Sequence, residues 1–256
     1  MTPGRGTCIL YIVESSVLLK GTCLPVAESP GIGLYAERGL HAALKARYAA
    51  LPGARLEVAV AGKIVDVVLP DELVEVQSRN LGSIVEKLLH LACVMPVRVV
   101  HPIIVETIIE RLDPKDGALA SRRTSKTRRD LYSLFDELVK ASLIVSSPNI
   151  RFDVLLVRVR EVRIRDGSGS WRRRGDRVCS RDLDSVLSTT SLDTRADWLA
   201  LLPPGLAEPI DSSSLGEALG IPPARARKIL YTYGRAGLLK EAGMVARRKQ
   251  YRAVPC

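Results

Sequence analysis

Residues 63–77 read Lys-Ile-Val-Asp-Val-Val-Leu-Pro-Asp-Glu-Leu-Val-Glu-Val-Gln, and they leave the chain few local folds. Two short runs rich in β-branched residues flank a turn containing Pro70 and Asp71, which predicts an antiparallel hairpin. Side chains alternate faces along a strand. A turn at residues 69–72 pairs Val68 with Leu73 and sets Asp66 directly opposite Glu75. Opposed residues have Cβ atoms about 4.5–5.5 Å apart, close enough for two carboxylates to repel. A divalent cation removes that repulsion, because Mg²⁺ is typically held by one or two carboxylates together with substrate phosphates. The plainer alternative turns both acids to solvent and gives Val65, Val67, Val74 and Val76 to the core.

The surrounding pattern predicts helix, three strands, helix, strand. Leu34, Leu40, Leu44 and Tyr48 mark a helix over residues 34–50, in which Glu37 and His41 lie four apart on one face. Residues 56–60 read as a strand, and Asn80 or Ser83 opens a helix running to about Val94. A short buried strand follows at 97–100. The polar run 117–129 reads as a loop, 130–141 as an amphipathic helix and 152–164 as a long strand. After Leu192, helices at 195–202, 212–219 and 223–235 are followed by a hairpin through Gly243, the order of a winged helix-turn-helix. The expected domains are an N-terminal extension (1–30, with strands at 8–13 and 16–19), an α/β domain (31–190) and the winged helix (191–256). The fold class expected is α/β, with a mixed sheet and flanking helices, plus that small C-terminal domain.

The formal net charge is +10 and the isoelectric point about 9.6, a balance that suits a polyanionic partner. Its distribution says more than its total: residues 1–117 carry −1, residues 118–181 carry +9. The acids thus lie apart from the basic segment, as suits a site that acts on a backbone gripped elsewhere. Cys8, Cys23, Cys93, Cys179 and Cys256 show no C-x-x-C spacing, which argues against a zinc site and for a reducing cytoplasm. No run of 18 apolar residues is present, so no membrane span is expected, and Cys8 to Val13 is too short for a signal peptide.

With Glu37, Asp66 and Glu75-Val76-Gln77 placed in this order of elements, residues 34–101 resemble the PD-(D/E)XK nuclease core of restriction endonucleases and Holliday junction resolvases. The resemblance implies a restriction-endonuclease-like sheet, with Glu37 as the helix acid, Asp66 as the strand aspartate and Glu75 as the second strand acid. These three would hold Mg²⁺ or Mn²⁺. Gln77 stands where that family has its lysine, and glutamine carries no positive charge. Lys87, on the following helix, is the candidate for a displaced lysine, ahead of Lys63. The strings Ser121-Arg122-Arg123-Thr124-Ser125-Lys126 and Trp171-Arg172-Arg173-Arg174-Gly175 also resemble those of an uncharacterised prokaryotic family that adds a basic middle and a winged helix to such a core.

The expected function is a metal-dependent DNA endonuclease. Arg122, Arg123, Lys126, Arg128, Arg129, Arg172, Arg173 and Arg174 would clamp the backbone. Arg225, Arg227 and Lys228 of the recognition helix, with Arg247, Arg248, Lys249 and Arg252 of the wing, would dock it. Two Phe and two Trp make a poor single-strand stacking platform, so duplex or branched DNA is the expected partner, without a membrane and with room for a homodimer. The alternatives are a catalytically inactive DNA-binding or regulatory protein on a degenerate nuclease core, and a protein-interaction scaffold with a merely basic surface.

Overall fold

The structure, a computed structural model, describes residues 33–169, 171 and 175–254, with backbone only for residues 33–38. The strands expected at 8–13 and 16–19, and the run Arg172 to Arg174, lie outside the described residues. Helix α1 (Gly33–Ala49) leads into β1 (Arg55–Val60), β2 (Lys63–Val68) and β3 (Leu73–Val76). A 3₁₀ turn runs into α2 (Val85–Ala92), and β4 (Val97–Leu112) follows. Next come β5 (Leu119–Lys126), α3 (Phe135–Leu138), β6 (Ile150–Arg165) and β7 (Asp176–Leu192). The C-terminal part holds α4 (Arg195–Leu199), α5 (Ser212–Leu219), α6 (Pro223–Arg235) and the hairpin β8 (Leu239–Val245)–β9 (Arg248–Ala253).

The fold is mixed α and β. Seven strands form one sheet in the order β1-β2-β3-β4-β6-β7, with β5 against the far half of β4. Strands β1 to β3 form an antiparallel meander, because short turns join them. The β3–β4 pair is parallel, so the chain must cross over, and α2 supplies the crossing. Leu69 N–H donates to the Glu72 carbonyl at 2.9 Å, closing the expected turn. Val68 pairs with Leu73 and Val67 with Val74, the expected register, and the paired stretch ends there, before Asp66 and Glu75.

Helices cover both faces of the sheet. On one, Leu40, Leu44 and Tyr48 of α1, spaced four apart, bury against Val67, Val74, Val100 and Val157. Gly39 lets α1 lie close to β7, for a Cβ there would stand 2.6 Å from the Arg181 carbonyl oxygen. On the other face, Leu88 and Leu91 of α2 share a core with Phe135 and Leu138 of α3, Trp198, and Ile229, Leu230 and Tyr233 of α6. Phe135 and Tyr233 meet edge to face at 5.4 Å. The C-terminal helices therefore complete the apolar layer over the sheet. Asp211 caps α5, and Pro223 occupies the first turn of α6, where its missing N–H costs nothing.

Several elements depart from the sequence expectation, among them β7, where no strand was expected, and α4, shorter than the helix expected at 195–202. The strand expected at 97–100 runs on to Leu112, through Pro102. The Val100 carbonyl accepts from Gln77 N–H on the β3 side, and Pro102, two residues on, faces the same side. There β3 has ended and β5 pairing begins only at Glu106, so no ladder bond is lost. The expected loop 117–129 contains β5, an exposed strand without a buried face and hence without a period-2 apolar signal. Arg122 and Lys126 reach Glu110 and Glu106 across the strand pair at 3.4 and 3.5 Å. The helix expected over 130–141 is a 3₁₀ turn followed by the single-turn α3. The C-terminal hairpin turns at Ala246 and Arg247, both left-handed, while Gly243 sits at an irregularity in β8.

Arg98 ties these layers together. Its Nε donates to both Glu72 oxygens at 3.0 and 3.2 Å, and its Nη1 to Asp153 at 2.9 Å and Asp193 at 3.1 Å. Asp153 also accepts from the Tyr48 hydroxyl at 2.6 Å and from Ser191 at 2.8 Å. Burial and the adjoining Asp153 push the Tyr48 hydroxyl pKa well up, so it stays a donor. Arg98→Ala strands Glu72 and Asp153 without their cation and is expected to cost about 3–5 kcal/mol. Tyr48→Phe is expected to cost only about 1 kcal/mol. Urea unfolding with an unchanged m-value measures both.

Candidate active site beside the β2–β3 hairpin

The paired stretch of β2 and β3 stops at Val67 and Val74. Just beyond, the Asp66 side chain takes over as acceptor: its Oδ2 receives the Val76 N–H at 3.0 Å. Its Oδ1 lies 3.5 Å from His41 Nε2 and 3.5 Å from Lys45 Nζ, both on α1. Lys45 also binds Glu57 of β1 at 2.7 Å. Glu75 is 5% exposed and faces α2, where Lys87 Nζ approaches its Oε1 to 2.6 Å. The Lys87 ammonium is the partner of this buried carboxylate, pulling down a pKa that burial raises.

The two carboxyls are driven apart electrostatically. Burial pushes Asp66 up, but His41, the Val76 N–H and Lys45 outweigh it and hold this carboxyl below its ordinary value. Burial raises Glu75, Lys87 pulls it back, nearby Asp66 raises it again, and the result lies above the ordinary value. Burial lowers Lys45, yet Glu57 and Asp66 together keep its ammonium above the usual range.

The structure brings Asp66, Glu75, Lys87 and His41 to this corner. Glu37 lies one helical turn before His41 on α1, and its side chain is outside the described residues. The Gln77 side-chain amide donates to the Arg79 carbonyl, and its backbone carbonyl faces the buried His101 ring nitrogen at 2.6 Å. Lys63 is exposed at the start of β2. Lys45 and Glu57 complete the cluster without having been singled out from sequence. The signal for Lys45 was the spacing 37–41–45, one helical face. Among the described residues, no cluster of three or more His, Cys, Asp or Glu side chains forms a ready metal cage.

The basic candidates divide. Arg123, Arg128 and Arg129 are exposed. Arg122 and Lys126 are engaged with the glutamates of β4. Arg225 and Lys228 pair at the surface with Asp130 at 3.3 Å and Asp136 at 2.8 Å. Arg227, Arg247, Arg248 and Lys249 gather between α6 and the β8–β9 hairpin.

A family model described as "Domain of unknown function (DUF8091)" matches residues 38–193. The match takes in all seven strands of the main sheet and stops before the C-terminal helices. An uncharacterized protein of Treponema pallidum (strain Nichols) is 30% identical over 154 residues, 60% of this chain and 61% of that relative. The chain thus matches less than two thirds of that relative's length. No solved structure matches. No described helix is long and apolar enough to cross a membrane.

The depressed Asp66 carboxyl makes a signed prediction. Its stabilising contribution is complete above its ordinary value of 3.8 and is lost as pH falls through the lower folded value. As pH falls below the ordinary value of 3.8 the native chain is therefore expected to lose urea stability more steeply than Asp66→Asn. Parallel pH profiles for the two proteins would remove the assignment.

Proposed function

We propose that this chain, which belongs to the family described as Domain of unknown function (DUF8091), is a Mg²⁺- or Mn²⁺-dependent DNA endonuclease. The observation that carries the reading is Lys87 against Glu75, beside Asp66, on the two strands of one hairpin. Helix α1, strands β1 to β3, helix α2 and strand β4 follow one another in the restriction-endonuclease-like order, which supports the same reading.

The residues suit a hard cation. Asp66 and Glu75 offer carboxylate oxygens on neighbouring strands, each beside a lysine. Mg²⁺ keeps several waters and needs only one or two carboxylates from a protein. When bound, the cation supplies neutralising charge at the scissile phosphate and an acidified water. The remaining work falls to the chain. Lys87, held on Glu75, offers the positive charge that Gln77 cannot. His41, partly exposed beside Asp66, is placed to accept or return a proton. The exposed arginines of the 119–129 segment hold the backbone. Helices α5 and α6 with the β8–β9 hairpin serve as the winged helix-turn-helix, with Arg227 and Arg247 exposed.

A second reading has its own support. In the described structure each carboxylate already has a lysine, Asp66 through Lys45 and Glu75 through Lys87. That arrangement suits a DNA-binding protein on an inactive core.

Plasmid and branched DNA, incubated with Mg²⁺ or Mn²⁺, separate the two. The nuclease reading expects cutting that Asp66→Ala and Glu75→Ala abolish and that Lys87→Met lowers by about 10²-fold. Cutting that survives both carboxylate substitutions ends the assignment. Steeply salt-sensitive binding without cutting supports the inactive DNA-binding protein.

A further inference from the structure

A pocket of about 470 Å³ lies between α6 and the β8–β9 hairpin, far in sequence from Asp66 and Glu75. Small-molecule sites typically measure about 300–1,000 Å³. Local sequence builds it. On α6, Arg227 and Tyr231 lie four apart and share a face. That face differs from the one carrying Arg225 and Lys228, whose charges are spent on Asp130 and Asp136. On the hairpin, the left-handed turn at Ala246 and Arg247 delivers Arg247, Arg248 and Lys249 to the same opening.

The lining has two characters. Tyr231, Tyr251, Leu230 and Pro223 form an apolar and aromatic wall, and Tyr231 is 46% exposed, unusual for so large a ring. Four cations stand beside it. Arg248 lies 3.7 Å from Asp211, and Lys249 binds Glu241 at 2.8 Å. Arg227 and Arg247 make no ion pair among the described residues, so two guanidinium groups face the pocket uncompensated. A guanidinium fork matches phosphate oxygens, and an aromatic wall accepts a flat ring whatever its sequence. Bare phosphate would leave that wall in water.

We propose that this pocket binds a nucleoside phosphate, with the phosphate on Arg227 and Arg247 and the base against Tyr231. Such a unit arrives free or as an unpaired nucleotide of a strand, and the chemistry is common to both. The inference stands apart from the metal site and holds whether or not that site cuts DNA.

The test is calorimetric titration of the full chain at low salt. The probes are the four common nucleoside 5′-monophosphates, adenosine, inorganic phosphate and a 5′-phosphorylated hexanucleotide. At least one nucleotide probe is expected to bind about tenfold more tightly than phosphate or adenosine, since base and phosphate contribute together. Arg227→Ala and Arg247→Asn should each weaken it about tenfold, the loss of a charged hydrogen bond. Asparagine tolerates the left-handed backbone at 247. Tyr231→Ala should weaken the nucleotide about tenfold and leave phosphate unchanged. All three side chains are exposed, and circular dichroism confirms that each variant is folded. Binding of monophosphates identifies the free nucleotide, and binding of the hexanucleotide alone, lost in the same variants, identifies the strand. Phosphate binding as tightly as every nucleotide, no binding at all, or indifference to Tyr231→Ala overturns the proposal.

Discussion

Arg98 holds a guanidinium at 12% side-chain exposure, where an isolated charge would be costly. Every bond it makes goes to a different part of the fold: Glu72 before β3, Asp153 on β6 and Asp193 beyond β7. Tyr48 extends the network to α1 through the second oxygen of Asp153. One buried cation thereby fixes the alignment of three strands and clamps a helix over them. Buried polar networks of this kind are worth most when complete, because each missing member leaves a charge unsatisfied. The candidate site begins immediately beyond it, since Glu75 pairs with Val99 in the register that Glu72 and Arg98 secure. The positions of Asp66, Glu75 and Lys87 thus depend on an ion network that takes no part in their chemistry.

The basic character of the chain has a similar double use. Asp176, fully buried, is held by Arg111 at 2.7 Å and Arg165 at 3.1 Å. Glu161, 2% exposed, is held by Arg163 and Arg181. Glu106 of β4 engages Arg158 at 2.8 Å and Lys126 at 3.5 Å. Several cations of the +9 segment therefore knit the strands together. Among the described residues, fewer cations are therefore left without an acidic partner than the net charge suggests; Arg123, Arg128, Arg129, Arg227 and Arg247 are exposed.

Local features were legible in the sequence. The hairpin at 63–77 took its expected register because turn chemistry and β-branched runs act over a few residues. Helices α5 and α6 begin and end as expected because Asp211, Gly220 and Pro223 cap or open them within one turn. Lys87 was singled out only through the resemblance to the PD-(D/E)XK core, and the crossover helix α2 sets it against Glu75. The misses share a cause. Strand β5 is held by its ladder to the distant β4, from Glu106 to Leu112, and its own residues show no apolar period. Pro102 reads as a stop, yet its missing N–H faces a gap between two partner strands. Lys45 joined Asp66 only because α1 lies over β2, a relation its neighbours in sequence do not encode.

By itself, then, the sequence determined the elements whose causes are local: the turn and register of the hairpin, the capped C-terminal helices and the uneven placement of charge. The tertiary structure alone decided which charges find an acidic partner and which make no ion pair among the described residues. Arg225 and Lys228 lie in the same helical run as Arg227, but two are tied to Asp130 and Asp136, some 90 residues earlier, and the third is free of ion pairs among the described residues. The physical reason is range. Turn, cap and alternation energies act between near neighbours, whereas an ion pair or a buried network is fixed only when distant strands have been brought into register.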